Sequence, residues 1–182
     1  MAATLLDPVA ALRCWRIDVD VDGTVYTIPA LPAAEWLVPI VTGAWGDIVP
    51  GLLPAADAEA LDDLIAAAAI DPAELRHAAQ AALAEAAGTR WWTARALAGG
   101  ILQVPQLTGR LLARGLDPTV VSLGGYLTAA YATVVDGMDQ MQRARFDLDL
   151  QRPPVGVPAD EWWDEDAAAD NFYAAMGAGA DR

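Results

Sequence analysis

Serine, histidine and cysteine, the commonest nucleophiles, base and soft metal ligands, are scarce in this chain. It has one serine (Ser122), one histidine (His77) and one cysteine (Cys14). Nucleophilic catalysis needs a nucleophile, a base and a group that orients the base. These three residues stand in unrelated contexts. Ser122 precedes an apolar run and suits a helix cap. His77 lies beside Arg76 in an Ala-rich amphipathic stretch and suits a helix surface. Cys14 opens a strand next to Trp15, where a small apolar filler fits. One Cys and one His cannot make a zinc cluster, and a lone cysteine cannot make an intramolecular disulfide.

Carboxylates are plentiful but unpatterned. Asp18, Asp20 and Asp22 alternate along one stretch, which raises calcium. An EF-hand loop needs a glutamate at fixed spacing after its glycine, and none stands there. A solvated strand face accounts for them, and Asp57, Glu59, Asp62 and Asp63 read as helix-surface acids. The stretch AGGILQ lacks both the glycine spacing and the lysine of a phosphate-cradling loop. No catalytic, cofactor-binding or metal-binding residue is assigned, and the chain is expected not to be an enzyme.

The conspicuous residues are aromatic. Adjacent residues on a helix point about 100° apart, so Trp91 and Trp92 cannot share one seam. One must face a neighbouring element or a partner, and Arg90 or Arg95 could stack on an indole. The second group is in the C-terminal PADEWWDEDAAADNFYAAMG: Trp162, Trp163, Phe172 and Tyr173 among acids at 160, 161, 164, 165, 166 and 170. Either these aromatics fold back over an apolar groove, or they are two anchors of a binding segment. From 163 to 172 is nine residues, about 2.5 helical turns, so one helix would not present both pairs on one face. Trp91, Trp92, Trp162, Trp163, Phe172 and Tyr173 are the candidate partner-binding residues.

Bulk properties bound the partners. The chain has 182 residues, a net charge of −14, 11 basic residues that are all Arg, and a mean hydropathy of +0.27. The acidic balance argues against nucleic acid and against an anionic membrane surface. No apolar run is long enough for a membrane helix, and MAATLLDPVA lacks the basic start of a secretory signal. A reducing cytoplasm is the simplest setting.

These residues must be positioned by a mainly α fold: a small helical domain over 1–150 with an N-terminal β-hairpin near 14–28, then a Pro-rich linker and a flexible acidic aromatic tail over 151–182. Ile17, Val19 and Val21 alternate with acids, and Asp22-Gly23 is a favoured type I′ turn pair. Residues 33–42 predict a short helix with Pro39 kinking it, and AWGDIVPGLLP reads as a loop. A helix is expected over about 57–69. Asp71-Pro72 starts another that runs to Ala87 and stops at Gly88. Thr89 caps the next, which ends near Gln103, and a short helix follows to Gly115. From Pro118 or Ser122, apolar residues at spacings of three and four predict one long helix to Asp147.

Four stretches together, DVDVDGTVYTIPALPAAEWL, GTRWWTARAL, RGLDPTVVSLGGYLTAAYATVVDG and FDLDLQRPPVGV, resemble the tail assembly chaperones of long-tailed phages of actinobacteria. The resemblance covers residues 15–157. It implies the short form of a non-enzymatic chaperone acting in the host cytoplasm and absent from the mature virion. The partners it implies are the tape measure protein, which such chaperones keep soluble, the tail tube protein that polymerises around it, and a longer frameshifted form of the chaperone itself. It carries no catalytic residues to transfer. Two other classes suit the same composition: a structural head-tail or tail adaptor that stays in the virion, and an acidic inhibitor of a basic host protein.

Overall fold

The computed structural model describes residues 16–157. The fold is mainly helical, with eight helices and one two-stranded sheet among the described residues. Residues 158–182, expected as a flexible tail, lie outside the described residues, as do Cys14 and Trp15.

The hairpin follows the sequence pattern. β1 (Ile17–Val21) pairs antiparallel with β2 (Thr24–Ile28), with Ile17 opposite Ile28 and Val21 opposite Thr24. Ile17, Val19 and Val21 are buried, while Asp18 and Asp20 are exposed. Asp22 and Gly23 both take positive φ, 52° and 78°, as a type I′ turn requires. The Asp carboxylates serve the hairpin itself. Asp20 accepts from the Gly23 N–H at 2.8 Å, and Asp18 accepts from the Thr27 hydroxyl at 2.7 Å. Two strands are marginal alone, and β1 lies on α4 (Pro72–Ala87).

Helix α4 begins as the residues dictate. Asp71 accepts from the Ala73 N–H at 2.8 Å, Pro72 opens the helix, and Gly88 closes it at φ 64°. Its inner face is mostly alanine, Ala78, Ala79 and Ala82 with Leu75 and Leu83, so neighbouring elements approach closely. α1 (Ala33–Thr42) spans the expected residues and contains Pro39. Pro32 offers α1 no side-chain cap; instead its first N–H groups donate to the carbonyls of Val121 (2.8 Å) and Pro118 (2.9 Å). α3 (Ala55–Ala66) buries only Leu61 fully.

Two expectations fail, and one is narrowed. AWGDIVPGLLP is not a loop: Trp45–Leu52 forms α2. Burial of Ile48, Val49 and Leu52 on one face, against α1, α3 and α4, outweighs the two glycines and Pro50. Of the two starts expected for the next helix, Pro118 and Ser122, the first is not used. Asp117 turns its carboxylate onto the Thr119 N–H and hydroxyl at 2.9 and 2.7 Å, which holds its carboxyl below the usual range and shapes the turn that caps α1. The helix begins instead at Ser122, whose hydroxyl accepts from the Gly125 N–H at 3.1 Å.

The second failure is the long helix. It is two helices, α7 (Leu123–Val135) and α8 (Gln140–Gln151). Gly137 takes φ 102°, and a capping box restarts the chain: Asp139 accepts from the Gln142 N–H at 2.8 Å, and Gln142 accepts from the Asp139 N–H at 3.1 Å. The first half is the dry one, with Leu123, Tyr126, Leu127 and Ala130 buried. In α8 only Leu150 is, and Met141 is 83% exposed.

Candidate functional site

The site grows out of α5 (Trp91–Gln103), which contacts α1, α4, α6, α7 and α8. Arg90, not Thr89, is its N-cap residue, and Gly99 and Gly100 do not interrupt it. Val104 ends α5 and Pro105 immediately opens α6 (Pro105–Ala113), so the chain turns within one residue.

Trp91 and Trp92 diverge as helix geometry requires. Trp92 is 6% exposed and its indole N–H donates to the Gln151 carbonyl at 3.2 Å. Beside it the Thr93 hydroxyl donates to the Leu150 carbonyl at 2.9 Å. The last carbonyls of a helix lack intrahelical partners, so α5 supplies the C-terminal cap of α8 with two side chains. Trp91 is half-buried and meets other rings edge-on, Trp92 at 5.4 Å and Trp45 at 5.1 Å between centroids. The guanidinium of Arg90 lies 5.3 Å from the Trp92 ring and that of Arg95 lies 4.6 Å from Trp45. Trp45 was hidden in the stretch read as loop. The structure thus joins Trp91 and Trp92 in a three-tryptophan cluster. The other four candidates, Trp162, Trp163, Phe172 and Tyr173, lie outside the described residues.

A cleft of about 450 Å³ opens between α5, α6, α7 and α8. Leu97, Leu107, Ala130 and Leu150 form its buried apolar floor, and Gln106, Arg110 and Asp136 stand exposed at its rim. Gly100 lines it, and a Cβ at that position would meet nothing within 4 Å. The rim is braced by Arg114, which donates to the Thr133 hydroxyl at 2.9 Å and pairs with Asp136 at 3.4 Å. Phe146 closes one side and stacks on Tyr131 at 6.1 Å and 17°. The Tyr131 hydroxyl donates to Asp147 at 2.7 Å. Burial first, then that hydrogen bond, raises the phenol's pKa, while Arg143 beside it opposes. The cleft is thus walled by α8, a helix attached through Leu150, two carbonyl caps and one phenol.

The sequence reading did not find this cleft, because it treated α7 and α8 as one helix and a straight helix leaves no such angle. Asp136-Gly137 and the Asp139–Gln142 spacing were the available signals. Among the described residues, no three His, Cys, Asp or Glu side chains gather as a metal-binding group, His77 is exposed on α4, and no helix is long and apolar enough to cross a membrane. No protein-family model, curated protein or solved structure matches the chain.

Proposed function

We propose that this protein is a non-enzymatic tail assembly chaperone that holds helical segments of a phage tape measure protein in the cleft between α5, α6, α7 and α8. The cleft carries the proposal: it combines an apolar floor with a polar, charged rim. An amphipathic helix binds such a groove by inserting apolar side chains at three- and four-residue spacing. The net charge of −14 supports a holding role, since self-repulsion keeps loaded complexes apart. The four stretches that carry the resemblance fall on the hairpin and α1, on α5, on the segment from Arg114 through α7, and on α8 with the residues after it, all within one packed unit.

In this reading the chaperone works in the host cytoplasm, delivers its client to tail tube subunits and does not enter the virion. Co-expression with the tape measure protein of the same phage is the test. Soluble tape measure protein that co-purifies with this chain, and a chain nearly absent from purified particles by mass spectrometry, are the expected results. Insoluble tape measure protein with no complex overturns the proposal. Stoichiometric presence in particles would mark a structural adaptor instead.

A further inference from the structure

Charge is divided unevenly along this chain. Residues 16–89 carry two Arg against twelve acids, a balance of −10. Residues 90–157, which build the cleft, carry seven Arg against five Asp, a balance of +2. Residues 158–182 carry one Arg against seven acids, −6. The cleft therefore lies in the one net-basic part of an acidic protein, and the strongly acidic segment follows it directly in the chain.

The local chemistry matches as well. The cleft has an apolar floor, and its rim carries Arg110 together with Asp136, whose charge is already paired with Arg114 at 3.4 Å. The tail offers the complement in one short run, Glu161-Trp162-Trp163-Asp164-Glu165-Asp166: two indoles bracketed by carboxylates. Leu150 of the floor and Val157, the last described residue, are seven positions apart. Five more residues reach Trp162, a span of up to about 17 Å. A segment tethered this closely acts at an effective concentration of order millimolar, so a contact of sub-millimolar affinity is enough to fill the site.

We propose that Trp162 and Trp163 occupy the α5–α8 cleft of their own chain, with a flanking acid facing Arg110, so that the tail covers the apolar floor until a partner displaces it. The cover itself is independent of who the partner is; only displacement by the tape measure protein rests on the chaperone reading. A covered cleft would let a holding protein accumulate without its apolar floor recruiting other copies.

Hydrogen exchange on the full chain, compared with Trp162→Ser/Trp163→Ser, tests this. Amides of 96–107 and 146–151 should exchange about ten-fold faster or more in the variant, as expected when two buried anchors are lost. Those of β1, β2 and α2 should be unchanged, which shows that the fold is intact. Raised salt should shift the wild-type chain in the same direction. Unchanged exchange at 96–107 and 146–151 overturns the proposal. So does protection that appears only as protein concentration rises, since a second copy is then the occupant. Co-purification with the tape measure protein is scored separately, so a covered cleft without a client would sink the chaperone reading alone, and a client without a cover would sink this one alone.

Discussion

The Thr93 hydroxyl donates to the Leu150 carbonyl at 2.9 Å across 57 residues of sequence. With the Trp92–Gln151 contact it fixes the end of α8 to α5, and so fixes one wall of the cleft. Thr93 is almost fully buried. Replacing it with valine keeps the shape and removes the donor. The Leu150 carbonyl is then left unpaired in the interior, at a cost of about 1–3 kcal/mol. Urea denaturation of Thr93→Val should show that loss, and α8 amides should lose protection before those of α4. Equal stability would mean that α8 is held by Leu150 packing alone.

Two glycines should respond in opposite directions. A Cβ on Gly43 would lie 2.6 Å from the Pro39 carbonyl oxygen, a backbone atom that cannot swing away. Gly43→Ala should therefore cost about 1–3 kcal/mol. Gly99 sits inside α5 with nothing within 4 Å of a built Cβ. Gly99→Ala removes unfolded-chain entropy and should stabilise by about 0.5–1 kcal/mol. Thermal melts of the two variants check both signs.

Much of this was legible in the residues. The alternation of Ile17, Val19 and Val21 with acids gave the hairpin's faces, and Asp22-Gly23 its turn. Asp71-Pro72 and Gly88 gave both ends of α4. These are local signals, decided within a few residues. What escaped was decided at a distance. α2 exists because Ile48, Val49 and Leu52 find a core that outweighs Gly46, Pro50 and Gly51. The apolar spacing runs on from Val134 past Gly137 to Met138 and Met141, yet Met141 is 83% exposed, so periodicity alone joined what the core does not. The cleft needed the angle between them and could not be seen from either helix separately.

Alkaline pH should loosen the α8 wall. The folded protein favours the neutral Tyr131 phenol, because burial and the hydrogen bond to Asp147 both raise its pKa. A raised pKa in the fold means that this contribution is complete below the unfolded value, near pH 10, and fades as pH rises through the folded value. Tyr126 is raised in the same sense, by burial first and then by the Asp117 charge. Stability should therefore fall from about pH 10 upward. Tyr131→Phe should be less stable at pH 7 by about 1 kcal/mol, through the lost hydrogen bond, yet show a shallower alkaline decline. The melting temperature followed from pH 7 to 11 gives both quantities, and parallel declines would assign the effect to Tyr126.

Gly100 is where the cleft can be closed without disturbing its walls. It lines the cavity from a helix interior, and a Cβ there has open space around it. A leucine side chain at this position projects into about 450 Å³ of cavity and meets an apolar floor. Gly100→Leu should fold with stability equal to or above wild type, since it removes a helical glycine and fills space. In the co-expression assay it should lose the tape measure protein, leaving the client insoluble. Trp91→Ala separates the alternatives, because Trp91 belongs to the three-tryptophan cluster and does not line the cleft. Client loss in Gly100→Leu with retention in Trp91→Ala assigns binding to the cleft. Retention in Gly100→Leu with loss in Trp91→Ala would move the binding surface to the tryptophan cluster.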